Sequence, residues 1–281
     1  MNNETAKNIR ESLSADCMKC FGLCCTALNV AASSDFAINK PSGTPCPHLQ
    51  GDYRCEIHKN LREKGFKGCT VFDCLGAGQK VSQVTFNGRS WREYPEIADK
   101  MFRVFPVMEQ LYEMIAFISE ALTYDISQSL QKKLIKQLEK LQSLTDMDAD
   151  SLLSLDMTGA RLPVNELLLE ASDYIRSELS SKVFAIKKGK NYRGVDWIGK
   201  NLAGKDLRTT DLRGAYLIAA DLRNADLRGA DLIGADLRDA NLSGANLSTS
   251  MFLTQMQMNS AKGNDKTKLP SYIQRPSHWM N

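Results

Sequence analysis

Three scarcities bound what this chain of 281 residues does. Histidine occurs three times, and two of those, His48 and His58, fall in one short segment. A Ser-His-Asp catalytic set therefore has little to draw on elsewhere. Long hydrophobic runs are missing. The most apolar stretch, Met101 to Leu122, is broken by Pro106, Glu109, Glu113 and Glu120, which would be costly at a bilayer centre. The opening residues, MNNETAKNIRESLSAD, carry no apolar core of a secretory signal. Charge of one sign is lacking too: 36 basic against 33 acidic side chains leave +3, too balanced for bulk attraction to nucleic acid or membrane. A cytoplasmic protein with neither nucleic-acid nor membrane partner is expected.

Cysteine is confined rather than scarce. All eight, Cys17, Cys20, Cys24, Cys25, Cys46, Cys55, Cys69 and Cys74, precede residue 75. In a reducing compartment a disulfide framework would not persist, so clustered thiols with two histidines among them point to metal ligation. Cys17-x2-Cys20 has the spacing of a metal knuckle, and Cys46-x-His48, Cys55-x2-His58 and Cys69-x4-Cys74 add soft ligands. A short helix over YRCEIHKNLREKG, ended by Gly65, would put Cys55 and His58 on one face. Ten candidate ligands exceed the four of one tetrahedral site, leaving room for two zinc ions, an iron site or an iron–sulfur cluster. Adjacent Cys24 and Cys25 do not easily aim at the same ion, so one of them serves a second site or packs as a small apolar residue. A redox role for this pair lacks a surrounding thioredoxin-like pattern. GAGQK at Gly76–Lys80 has Val81 where the third glycine of a dinucleotide loop belongs, and reads as a turn.

The motif CMKCFGLCC, C-x2-C-x3-C-C, resembles the zinc- or iron-chelating CxxCxxxCC family of bacterial proteins over residues 10–80. That resemblance implies chelation at Cys17, Cys20, Cys24 and Cys25, with zinc first among the metals.

Residues 93–180 read as helices. Met101, Phe105, Met108, Tyr112, Ile115 and Leu122 follow helical spacing, with a kink expected at Pro106. Leu130, Leu134, Leu138 and Leu141 form a second stripe, and a third helix is expected to begin after Pro163. SSKVFAIKKGK then reads as a linker.

Beyond it, leucine recurs at every fifth position from 202 to 247. A helix advancing about 100° per residue would spray such leucines around every side. A strand would alternate them between faces. The chain must instead turn a corner in each pentapeptide, with alanine two positions before the leucine and a turn former two after it. ADLRN ADLRG ADLIG ADLRD ANLSG ANLS resembles the pentapeptide-repeat family, A-(D/N)-L-X-X. The resemblance implies a right-handed, four-sided β-helix of four pentapeptides per coil. Residues 192–252 make about three coils, roughly 15 Å tall at strand spacing. Tyr192 and Trp197 suit one end as caps, and the tail with Trp279 suits the other.

Some members of that family protect topoisomerases by mimicking DNA. Residues 192–252 hold eight aspartates against six arginines and two lysines, a net charge of zero, and so imitate a duplex poorly. On one outer face Ile198 and Ile218 stack, with Tyr216 beside them; this interaction face is expected to be covered by the chain's own helices or by a second subunit.

The fold class expected is α+β multidomain. It comprises a Cys/His-rich metal-binding head at 1–85, a helical region at 93–180, a pentapeptide β-helix at 190–258 and a capping tail at 259–281. The expected function is a non-enzymatic, metal-binding protein with an interaction scaffold. The rival is a metal- or redox-dependent enzyme using the head.

Overall fold

The apolar spacing from Met101 onward is realised as a helix of 24 residues, Ala98–Ala121, in the computed structural model, which describes residues 3–183 and 189–280. Shorter helices precede it: α1 (Asn3–Ser12), α2 (Leu23–Thr26), α3 (Lys67–Val71) and α4 (Ala77–Lys80). The long helix is α5, and α6 (Gln128–Thr145), α7 (Ala149–Leu153) and α8 (Met157–Glu178) follow. The chain forms two compact units, one of Met1–Leu122 with Lys132–Glu166, the other of Thr123–Gln131 with Leu167–Asn281.

In the first unit α5 is the central element. Met101, Val104, Met108, Leu111 and Ile118 are fully buried, and α1, α2, α4 and α7 pack on this helix. Pro106 lies inside α5 and removes one rung of its hydrogen-bond ladder. The α6 stripe is buried as expected at Leu130, Leu134, Leu138 and Leu141. α8 starts earlier than Pro163 implies, because the Asp156 carboxylate accepts the Gly159 N–H at 3.0 Å and caps a turn ahead of the proline. None of the helices among the described residues is long and apolar enough to cross a membrane.

In the second unit the leucines from Leu202 to Leu247 all turn inward, none more than 5% exposed, with Ala215 to Ala245 filling the gaps between them. Parallel bridges join residues twenty apart, Asn191 with Asp211, Asp196 with Tyr216 and so on to Asp231 with Met251. This is a four-sided coil of four pentapeptides. The Asp or Asn that precedes every leucine but Leu217 has a definite task. Its side-chain oxygen accepts the N–H two positions on, at Asp206, Asp221, Asp236 and Asn241 among others, closing an Asx turn at each corner. Two positions after each leucine from Leu202 to Leu242 the backbone is left-handed. Glycine adopts this readily, while Thr209, Ala219, Asn224 and Asp239 adopt it at a steric cost.

The ladder outlasts the repeats: Lys262 pairs with Asn241 and Lys268 with Asn246. α9 (Gln255–Ser260), opened by a capping box at Thr254 and Gln257, makes the extra excursion. Trp279 is buried in the leucine core, and both its Nε1 and the His278 ring nitrogen meet the Ala261 carbonyl. The tail thus extends the coil as well as capping it. At the other end the rings of Tyr192 and Trp197 lie 4.6 Å apart. Of the expected linker, residues 184–188 lie outside the described residues.

The face of Ile198, Tyr216 and Ile218 is not covered by the chain's own described helices. Ile198 is 55% and Tyr216 51% exposed, and Ile218 is half-buried. The C-terminal half of α8 covers a neighbouring, polar face instead. Arg176 donates to the Ser172 hydroxyl and the Thr209 carbonyl, and lies 3.6 Å from Asp211. Arg213 donates to Asp231 at 3.1 Å and to the Leu168 carbonyl. Asp211, Asp231, Ser172 and Arg176 are all buried. The same half of α8 also buries Leu168, Ala171 and Ile175.

Candidate metal-ligand cluster

The cysteine segment is held by hydrogen bonds from polar side chains rather than by long elements. Asp16 caps the turn Cys17–Lys19 by accepting the Met18 N–H. The Gln79 amide accepts from Asp16 N–H at 2.7 Å and donates to the Ser14 carbonyl. The Ser82 hydroxyl accepts from Phe21 N–H, Gln83 donates to the Lys19 carbonyl, and Trp91 Nε1 donates to the Phe21 carbonyl. These contacts bind the Cys17–Cys20 turn to α4 and the wide turn Val81–Thr85 that follows it. Gly78 is required there, since an added Cβ would stand 2.7 Å from the Cys20 sulfur.

Left-handed Gly22 turns the chain into α2, which carries Cys24 and Cys25 with sulfurs 3.9 Å apart. The Cys25 carbonyl accepts the Cys46 N–H at 2.9 Å, bringing the second ligand pair beside the first. Leu49 and Cys55 form an antiparallel bridge across the turn at Tyr53. Cys69 sits in α3, and the Cys74 carbonyl accepts the Ala77 N–H at the start of α4. The helix expected over 53–65 is replaced by turns and a 3₁₀ turn at His58–Asn60, Cys55 being held in the bridge to Leu49 and the Glu56 N–H donating to the His48 carbonyl. Cys55 and His58 are therefore not stacked on a helical face.

All eight cysteines are free thiols; Cys17 and Cys69 are exposed and the rest half-buried. Backbone N–H groups point at four of the sulfurs: Leu23 and Gly22 at Cys20, His48 at Cys46, Ile57 at Cys55, and Gly78 and Gly76 at Cys74. Such donors favour thiolate. Burial works against them and pushes these thiols up, Cys74 to about 11 and Cys69 to about 12. Charge on Cys25 raises Cys46, Cys55 and Cys69, and Cys46 and Cys55 add to the rise at Cys69, so these thiols lie within electrostatic reach of one another. Cys20, Cys24 and Cys74 repel one another in the same way, with Cys17 next to Cys20. The hydrogen bond between Cys24 and Cys25 holds Cys25 low and Cys24 high.

His48 packs edge-on against Phe66 and lies 3.8 Å from Glu56, while His58 is exposed. Among the described residues no three Cys, His, Asp or Glu side chains converge closely enough to hold an ion as they stand. Sequence reasoning missed Lys40, Gln79 and Ser82, which sit among or bind the cysteine turns. Lys40 is one of 36 basic side chains, and nothing in its neighbours marks it out.

Comparison with known proteins adds the following. The family model described as pentapeptide repeats matches residues 193–229 and 210–248, with eight copies. Rfr23, a pentapeptide repeat protein from the cyanobacterium Cyanothece 51142, is 30% identical over 28% of this chain and 53% of its own, with a TM-score of 0.26. A pentapeptide repeat protein of the Arabidopsis thaliana thylakoid lumen is 33% identical over 32% of this chain and 60% of its own, with a TM-score of 0.16. The chain thus spans only half to three-fifths of these solved structures. The uncharacterized protein YybG of Bacillus subtilis (strain 168) is 56% identical over 272 residues, 97% of this chain and 96% of that one, so head and repeats are shared together. Residues 193–248 are thus a pentapeptide-repeat segment, and along almost its whole length the chain belongs to the same family as YybG.

Proposed function

We propose that this pentapeptide-repeat scaffold protein carries a thiolate metal site in its N-terminal head, holding zinc as a structural ion, and that it is not an enzyme. The observation that carries the reading is the crowding of thiols by the head's turns: the Cys24 and Cys25 sulfurs lie 3.9 Å apart, and the Cys25 carbonyl accepts the Cys46 N–H at 2.9 Å. Thiolate is the form that binds metal. The donor set fits a soft or borderline cation. Cys25, Cys46, Cys55 and Cys69 would hold it, and Cys17, Cys20, Cys24 and Cys74 supply donors for a second. His48 and His58 fall outside both sets. Coordination requires the thiols to swing inward, since they do not converge as placed. The ion would supply a cross-link among loops that have few buried apolar side chains of their own, so its binding energy is also folding energy.

The test is metal analysis with a visible spectrum on full-length protein purified without oxygen. Colourless protein with stoichiometric zinc supports the reading. Brown protein with iron and sulfide replaces zinc by an iron–sulfur cluster. Metal-free protein with a fully folded head overturns it.

A further inference from the structure

Around the β-helix, Asp206, Asp221, Asp226 and Asp236 each pair with the arginine two residues on, at 2.6 to 2.7 Å. The pattern fails on one outer face. Parallel bridges stack Asp196, Tyr216 and Asp236 there, and Ile198, Ile218 and Arg238 follow two residues on. Isoleucine thus replaces the arginine in the first two coils, and tyrosine replaces the aspartate in the second. Asp196 accepts the Ile198 N–H at 3.1 Å but, among the described residues, meets no cation. Ile198 and Tyr216 are more than half exposed. The other outward isoleucine of the repeat, Ile233, follows Asp231 on the face that α8 covers. An apolar strip on an otherwise polar coil marks a contact surface.

The charges around the strip say what fits it. Asp196 stands at its first coil and Arg238, 61% exposed, at its third. Lys200, which is exposed, and Asp239 stand at the same two ends, again with opposite signs. A copy of this face turned end for end therefore brings a cation to Asp196 and an anion to Lys200, while Tyr216 and Ile218 meet their own counterparts at the two-fold axis. Turned the other way, coil against like coil, the face would set Asp196 against isoleucine.

We propose that this face joins two copies of the chain in an antiparallel, two-fold dimer, with Asp196 of each copy pairing with the partner's Arg238. The strip is about 15 Å tall, less than a stable interface of roughly 800 Å² per partner needs, so the dimer forms at high protein concentration and dissociates on dilution.

The test is sedimentation velocity on full-length protein in reducing buffer over a series of concentrations, with circular dichroism to check the fold. Wild type shifts from monomer to dimer as concentration rises. Asp196→Arg and Arg238→Glu, each alone, stay monomeric where wild type is dimeric, because each sets like charges together at both ends of the interface. Mixed in equal amounts they associate again, since both positions of one variant then face the opposite charge on the other. Wild type that stays monomeric throughout, or a mixture that associates no better than its two components, overturns the proposal. If Arg238→Glu does not fold, Tyr216→Asp takes its place: it abolishes association, and a dimer that survives it overturns the proposal.

Discussion

The two ends of the molecule are stabilised by opposite strategies. In the β-helix each residue's role repeats every five positions, and its partners lie two or twenty residues away. In the head every contact is singular: Gln79 reaches Asp16 and Ser14, Trp91 reaches Phe21, and the thiols are drawn from residues 17 to 74. The repeat tolerates damage in proportion to position, whereas the head stands or falls with a few groups.

The largest expected effect breaks the head alone. Replacing Cys46 and Cys69 by serine should remove the zinc and erase the head's thermal transition, leaving the β-helix transition in place; structural zinc sites contribute about 10–16 kcal/mol of apparent binding energy. A single transition that moves as one would show that the contrast is false. The next effect lies within the β-helix, between two aspartates in similar repeat phrases. Asp231→Ala strands the half-buried Arg213 and should cost about 3–5 kcal/mol. Asp236→Ala, whose partner Arg238 is exposed, should cost less than about 1 kcal/mol by denaturant unfolding. Leu222→Ala, in the fully buried core, should cost about 2–5 kcal/mol and leave zinc content unchanged.

A smaller effect is set by pH. Burial, with the Glu113 charge adding to it, raises Glu109 to about 7. Its folded value lies above its unfolded one, so the folded state binds the extra proton and stability falls as pH rises from about 4 to 7. Glu109→Gln should therefore stabilise the first unit at pH 8 and do nothing at pH 4. The smallest effect is the mirror case. Hydrogen bonds from Arg208, Arg223 and Arg238 hold Asp206, Asp221 and Asp236 below the usual carboxylate range. Their contribution is present above about pH 4 and lost as pH falls through their lowered values, a slight softening of the β-helix in acid.

Legibility in the sequence follows the same contrast. The five-residue period admits one geometry, so the inward leucines and alanines and the twenty-residue coil were readable from spacing alone. The α6 stripe was readable for the same reason. Asp211 and Asp231 were not distinguishable from Asp221 or Asp236, because only the docking of α8 decides which aspartate loses its water. The tail's bridges at Lys262 and Lys268 carry no repeat signature. In the head, residue type announced thiol chemistry, but which thiols share a neighbourhood depends on the turns at Gly22, Tyr53 and Gly65. The charge of Lys40 acquires meaning only from its burial.

The hydrogen bonds of Gln79, Ser82 and Gln83 to the Cys17–Cys20 turn close a loop of some sixty residues without any ion. The chain-entropy cost of bringing those ends together is met before a cation arrives. The turn is therefore held in place by the chain itself, and amide exchange at Met18 and Phe21 should stay slow whether or not metal is added.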